Sequence, residues 1–268
     1  MIETAYAKIN LALHVRRRRA DGYHEIETLF AFVDDGDMLT TRMRDRDSLE
    51  ISGEFAPALG DPFGNIVARA LGVLPRPEGL AVMLQKNLPV AAGLGGGSAD
   101  AGALFRLVRE GFGLPGDWRL RAARLGADVP ACVLSETCIG RGTGTDLEPV
   151  ENDLAGMPVL LVNPRVPMAT GPVFAAWDGI DHGPLPEGPP SEIARLGRND
   201  LEPAAIGLAP EIRIVLDALS AWGASLVRMS GSGASCFGLF ADDAALERAA
   251  ERIAQGHPQW WQMRGRLR

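Results

Sequence analysis

The sequence predicts an α+β fold, on three observations. Residues 4–15 alternate apolar and polar side chains like a strand, a glycine cluster at 93–97 breaks into a helical pattern, and the second half reads in coarse order β, helices, β, β, α, β. That last order is the order of a split βαβ or ferredoxin-like unit with extra helices. The chain has 268 residues, 46% of them hydrophobic, which suffices for the core of one large domain or two ordinary ones.

In the first strand Ala5, Ala7, Ile9, Leu11 and Leu13 share one face, and Tyr6, Lys8, Asn10 and His14 the other. Lys8 and Asn10 therefore project side by side, on a face that is either solvated or functional. Arg16 to Arg19 form a basic run that ends in Ala20-Asp21-Gly22-Tyr23-His24, where Asp-Gly marks a hairpin corner. Tyr23 and His24 on such a corner can stack on and hydrogen-bond a planar ring. Strands follow over 25–34, 37–43 and 47–53. Asn65 caps a short helix that turns Ile66, Val67, Ala70 and Leu71 inward and stops at Pro75. A strand over 79–86 delivers Lys86 just ahead of the glycines. Ser98 is the expected N-cap of the next helix, which carries Ala101, Leu104, Phe105 and Val108 at helical spacing.

A second helix covers Asp117 to Leu125 and closes at Gly126. Asp128 stands alone among apolar neighbours, where a carboxylate either caps the backbone after Pro130 or performs chemistry. Residues 138–150, with Gly140, Gly142 and Gly144, read as a turn-rich stretch on the way out of the first domain. Next come a strand over 158–163, a short helix over 170–177 and a loop rich in Pro and Gly over 179–190. Asn199-Asp200 opens a helix, and another runs from Pro210 to Trp222. Strands at 224–230 and 235–240, joined by a turn at 230–234, precede a helix over 242–255 and a final strand over 259–266.

Composition narrows the function classes. A net charge of −7 argues against a nucleic-acid partner. No apolar run approaches the roughly 18 residues of a membrane span, and the first residues do not read as a signal peptide, so no membrane role is expected. Cys132, Cys138 and Cys236 are odd in number and lack metal-ligand spacing, which predicts reduced thiols in the cytoplasm. Of 27 basic side chains only Lys8 and Lys86 are lysines, a bias that nominates both for places where a compact ammonium fits and a guanidinium does not.

A glycine loop that feeds a helix offers amide N–H groups at the positive end of a dipole, a natural phosphate cradle; alone, it is equally a turn linking two elements. It is not a P-loop, because Gly97 is followed by Ser98-Ala99 and not by Gly-Lys-Ser/Thr. It is not a dinucleotide loop, because Ser98 stands where the third glycine belongs. Three blocks do match one template: Ala7-Lys8-Ile9-Asn10, the loop from Pro89 through Gly93-Leu94-Gly95-Gly96-Gly97-Ser98, and Met229-Ser230-Gly231-Ser232-Gly233-Ala234. In these the chain resembles the GHMP kinase superfamily. Arg19 to His24 and Gly126-Ala127-Asp128-Val129-Pro130, with Asn199 to Glu202, resemble the branch whose substrate is a small alcohol carrying a cytidine diphosphate group.

The resemblance implies an N-terminal domain of the ribosomal S5 domain 2-like type over 1–154 and a ferredoxin-like C-terminal domain over 155–268, with the active site between them. It implies ATP and Mg²⁺ as cofactors and a monomer or weak homodimer. Lys8 and Asp128 are the implied catalytic pair, with Asp128 accepting or orienting the substrate hydroxyl and Lys8 neutralising charge on the transferred phosphoryl group. Residues 93–98 and Pro89 would cradle the ATP phosphates, with Lys86 and Asn65 near the adenine and ribose. Tyr23 and His24 would hold the cytosine with Phe174 on its other face, while Asn10 and Thr170 bind elsewhere on the substrate. Ser230, Gly231, Ser232 and Gly233 would close over the phosphates, and Ser98 is the implied metal ligand. A homoserine- or mevalonate-type substrate is disfavoured by Tyr23-His24, and a non-catalytic nucleotide binder by the presence of both Lys8 and Asp128.

Overall fold

The computed structural model describes residues 1–60 and 64–268. The chain forms two compact units, the first of residues 1–8, 35–90 and 95–135, the second of residues 9–34, 91–94 and 136–268. Two long strands, β1 (Ile2–Arg18) and β2 (His24–Arg44), each contribute to both.

In the first unit, β3 (Ser48–Ser52) and β4 (Gly79–Gln85) pair in parallel, and the far half of β2 pairs antiparallel with β4. Alternation settles the faces: Leu39, Leu80, Val82 and Leu84 are buried, while Met38 and Met83 are exposed. A 3₁₀ turn (Ala56–Leu59) and α1 (Ile66–Val73) join β3 to β4. Three helices follow, α2 (Gly96–Phe112), α3 (Trp118–Leu125) and α4 (Val129–Leu134). Residues 99–108 of α2 are all buried, including Arg106, whose guanidinium binds Glu3 at 2.9 Å, Ser135 Oγ at 2.8 Å and the carbonyls of Thr4 and Cys132. A buried guanidinium needs that many acceptors.

The second unit holds the β1–β2 hairpin, β5 (Cys138–Arg141) and β6 (Asp146–Pro149), with β5 paired to β2 and to β6. It also holds a four-stranded antiparallel sheet in the order β10 (Trp261–Arg266), β7 (Pro158–Asn163), β9 (Cys236–Leu239), β8 (Leu226–Met229). With β7 first in the chain this is the ferredoxin-like order read from the sequence. Helices α5 (Thr170–Ala175), α6 (Pro190–Leu196), α7 (Glu202–Leu208), α8 (Glu211–Ala221) and α9 (Asp243–Gly256) complete it. Leu160 and Val162 of β7 share one core with Val215 and Leu219 of α8 and with Leu246, Ala250 and Ile253 of α9. Among the described residues no helix is long and apolar enough to cross a membrane.

Several boundaries differ from the sequence reading. The strands expected at 25–34 and 37–43 are one strand, because Gly36 marks a close approach and not a turn: a Cβ there would lie 2.0 Å from the Ala5 carbonyl oxygen. The turn-rich stretch at 138–150 is the β5–β6 hairpin. Helix α6, starting at Pro190, was not expected, and α7 begins at Glu202 and not at Asn199. Ser98 is not an N-cap, since α2 starts two residues earlier, at Gly96.

Candidate active site

In the first unit β1 is covered on both faces, with Ala7 0% and Lys8 4% exposed, so the solvated reading of the Lys8 face fails. Its ammonium lies 3.1 Å from Asp128 Oδ2. Asp128 occupies the N-cap position of α4 yet makes no side-chain capping bond, so the capping reading fails as well. The Asp128 side chain keeps 32% of its surface open while that of Lys8 keeps 5%. A fixed ammonium thus holds a carboxylate that still faces outward. Gly95 completes the corner: it takes φ 61° ahead of α2, and a Cβ there would stand 2.9 Å from Lys8 Cε and 3.9 Å from Asp128 Oδ2. Only glycine lets the helix start that close to the pair.

The first bond of the α2 ladder runs from the Ala99 amide to the Gly95 carbonyl at 2.8 Å, which leaves the amides of Gly96, Gly97 and Ser98 outside it. These amides and the helix dipole favour an anion at this end. Ser98 is half-buried within that first turn. Among the described residues no three His, Cys, Asp or Glu side chains gather as a metal cage. Ser98 brings a side-chain hydroxyl, a hard oxygen donor, to that first turn.

Lys86 and Asn65, expected near the adenine and ribose, are otherwise engaged. Asn65 caps α1, its Oδ1 accepting the Val67 amide at 2.8 Å. Lys86 is 1% exposed and salt-bridged to Asp37 and Asp100, so its expected contact with ATP finds no open face. Burial alone would lower the Lys86 pKa; the Asp100 and Asp37 carboxylates outweigh it and hold the ammonium above the ordinary lysine range. Burial pushes the Asp100 carboxyl up against the pull of Lys86, and Asp37 adds to the rise.

In the second unit the 91–94 segment and the 230–235 turn are bonded to each other. Ser230 Oγ donates to the Gly93 carbonyl at 2.8 Å and accepts the Asn10 amide at 3.2 Å, and the Ser235 amide reaches the Ala92 carbonyl at 3.1 Å. Gly93 has φ 79°, and a Cβ there would lie 2.2 Å from the Ser230 carbonyl oxygen, so the approach demands glycine. Asn199 Nδ2 donates to the carbonyls of Met229 and Gly231, each at 2.8 Å, so the residue expected to open a helix instead braces the turn. Thr170 Oγ1 lies 3.1 Å from Ser232 Oγ, and Asn10 Nδ2 donates to Thr28 Oγ1 at 2.8 Å. Asn10, Gly93, Thr170, Ser230 and Ser232 are thereby brought together.

The aromatic expectation needs correction. His24 and Phe174 have ring centroids 4.8 Å apart and tilted by 38°, too close to admit a base between them. They form one composite surface, with Trp177 edge-on to His24 at 5.7 Å. Trp177 was missed; it lies just beyond α5, where its amide donates to the Phe174 carbonyl at 3.4 Å. Its buried indole Nε1 has no hydrogen-bond partner among the described residues. Tyr23 sits on the hairpin corner, 64% exposed. Burial, then the nearby Arg18, hold the His24 pKa below the usual histidine range, and Arg18 Nε lies 3.4 Å from its Nε2.

A fixed ammonium beside an open carboxylate, next to a glycine-rich helix start, is the equipment of a phosphotransferase. Family models described as "GHMP kinases N terminal domain" and "GHMP kinases C terminal" match residues 65–136 and 185–259. The chain belongs to the GHMP kinase family. It is 65% identical to the 4-diphosphocytidyl-2-C-methyl-D-erythritol kinase of Novosphingobium aromaticivorans, over 99% of this chain and 92% of that one. It is 64% identical to the enzyme of the same name from Erythrobacter litoralis, over 99% and 98%. A crystal structure of 4-(cytidine 5'-diphospho)-2C-methyl-D-erythritol kinase superposes with a TM-score of 0.82 at 34% identity, covering 100% of this chain and 99% of that one.

Proposed function

We infer that this chain is an ATP-dependent kinase that phosphorylates the 2-hydroxyl of 4-diphosphocytidyl-2-C-methyl-D-erythritol, a step of the non-mevalonate route to isoprenoid precursors. The reaction type rests on one observation above all, the Lys8–Asp128 pair at 3.1 Å with the carboxylate side open. The substrate rests on relatives of that name at 64–65% identity along nearly the whole chain.

The roles follow from charge and position. Phosphoryl transfer asks the protein for alignment and for neutralisation of charge on the equatorial oxygens. Asp128 orients the substrate hydroxyl and accepts its proton late; Lys8 fixes Asp128 and faces the transferred group. The amides of 93–98 hold the ATP phosphates, and the 230–233 turn, tied to Gly93 through Ser230, completes that cradle. Ser98 would hold a Mg²⁺, which would supply charge neutralisation on the triphosphate. The cytosine lies against His24 and Phe174, which the buried Trp177 backs, with Tyr23 closing over it; Asn10 and Thr170 contact the substrate beyond the base. The family models fall on either side of residue 155, which supports an ATP-binding domain over 1–154 and a second domain over 155–268. Three buried thiols fit a reducing compartment and support a cytoplasmic enzyme. We read it as a monomer or weak homodimer that needs neither nucleic acid nor membrane.

The test is an ATP-consumption assay on a panel: the cytidine diphosphate alcohol, homoserine, mevalonate and no acceptor. ADP release with the first substrate alone is the expected result. Release with homoserine or mevalonate instead would reassign the substrate, and release with none would remove the kinase reading.

A further inference from the structure

Lys86 directly follows β4, with its ammonium between Asp37 of β2 and Asp100 of α2, all three side chains buried. Asp100 Oδ2 accepts from it at 2.8 Å. Asp37 meets the ammonium with Oδ2, while its Oδ1 accepts the amides of Asn87 and Leu88. The Asn87 side chain donates in turn to the Gly36 carbonyl at 3.1 Å. A Cβ added to Gly96 would stand 3.1 Å from Lys86 Nζ and 3.7 Å from Asp37 Oδ2, so the ammonium lies directly against the first residue of α2. One cluster therefore fastens residues 86–88, where the chain enters the glycine loop, and residues 96–100, where it leaves.

Without water around it, an ammonium shared by two carboxylates gains little stability over apolar side chains of the same volume. What it fixes is direction, because both Asp37 oxygens and Asp100 Oδ2 accept from particular donors, while Asp100 Oδ1 has no hydrogen-bond partner among the described residues. We infer that Lys86, Asp37 and Asp100 are positioning residues that set the amides at the start of α2 for the triphosphate of ATP, an inference that rests on reading 93–98 as the phosphate cradle. They act through the loop and touch no nucleotide atom. Amide donors are effective only at correct geometry, and a misplacement of about 1 Å costs roughly a hundredfold.

Calorimetric titration of the full chain with ATP and with adenosine tests this. Asp100→Ala and Lys86→Met are expected to weaken ATP at least about tenfold, while adenosine stays within about twofold of the parent. Asp100→Asn keeps an oxygen for the ammonium and is expected to restore ATP affinity to near the parent value. In turnover, KM for ATP rises in the first two variants and KM for the alcohol does not. ATP affinity unchanged in folded Asp100→Ala and Lys86→Met overturns the inference. So does a parallel loss of adenosine, which would make Lys86 a direct nucleoside contact, or an Asp100→Asn as weak as the alanine variant. Should either of the first two variants fail to fold, Asp100→Ser, whose hydroxyl is too short to reach the ammonium, takes its place. A parent that binds no ATP sinks the kinase reading itself; a parent that binds ATP beside unaltered variants sinks only the positioning role.

Discussion

Lys8 and Lys86 are the two lysines of the chain, both buried and both ion-paired with aspartate, and the difference between them lies in the partners. Asp128, facing Lys8, leaves 32% of its side chain open, whereas Asp37 and Asp100, facing Lys86, leave 0% and 2%. An ion pair with one open carboxylate can share that carboxylate with an incoming hydroxyl. A pair closed on every side can only hold backbone in place. Exposure of the acid, not burial of the lysine, separates chemistry from scaffold here.

Substitutions can break that contrast, and the largest effect is expected at the closed cluster. Lys86→Met leaves two buried carboxylates facing each other, and losing one member of a buried ion pair costs about 3–5 kcal/mol. Urea denaturation should show that loss; a midpoint equal to the parent's would mean the cluster is not closed in solution. Lys8→Arg should do the reverse. It keeps a charge but spreads it over a plane, so kcat is expected to fall about 10²–10³-fold with ATP binding and denaturation midpoint largely kept. Near-normal turnover in that variant would remove Lys8 from the mechanism. Asp128→Asn is expected to lower kcat about a hundredfold with little change in KM for either substrate; a rise in KM at unchanged kcat would make Asp128 a binding group only.

The smallest effect concerns a third buried base, His14, which carries no charge. Its Nδ1 lies 3.1 and 2.9 Å from the carbonyls of Gly183 and Pro184, so it must be the donor, and its Nε2 accepts the Arg198 amide at 3.2 Å. Burial, then Arg198, hold its pKa below the usual histidine range. The unfolded chain therefore binds more protons in the window below the unperturbed value of about 6.5. The stability His14 contributes is complete above that pH and is lost as pH falls through the window. A Tm series between about pH 7.5 and 5.5 should slope downward toward acid, and His14→Asn should flatten part of that slope. An equal slope in both proteins would contradict the assignment.

Much of this was legible in the residues. Lysine scarcity pointed to both sites, the glycine blocks marked the loop and the turn, and the element order of the second half gave the sheet that the structure displays. Less legible were the features that depend on long-range approach. Ser98 looked like a cap because its chemistry is right, but the helix starts upstream at Gly96, with Gly95 in the left-handed region at the N-cap. Tyr23 and His24 looked like one face of a base clamp, yet His24 closes on Phe174 instead, and Trp177 joins it.

By itself the sequence determined most of the elements and nominated Lys8, Lys86 and the glycine loop, because alternation and glycine spacing are local and act over a few residues; the kind of chemistry came with the resemblance of its separated blocks to one family. The resemblance implied that Lys8 meets Asp128, but that Lys86 meets Asp37 and Asp100 was shown by the tertiary structure alone. Lys8 and Asp128 are 120 positions apart and Lys86 and Asp37 are 49 apart, so no local pattern can encode either meeting. Burial then makes those meetings consequential, since an ammonium out of water must find an acid wherever the fold brings one.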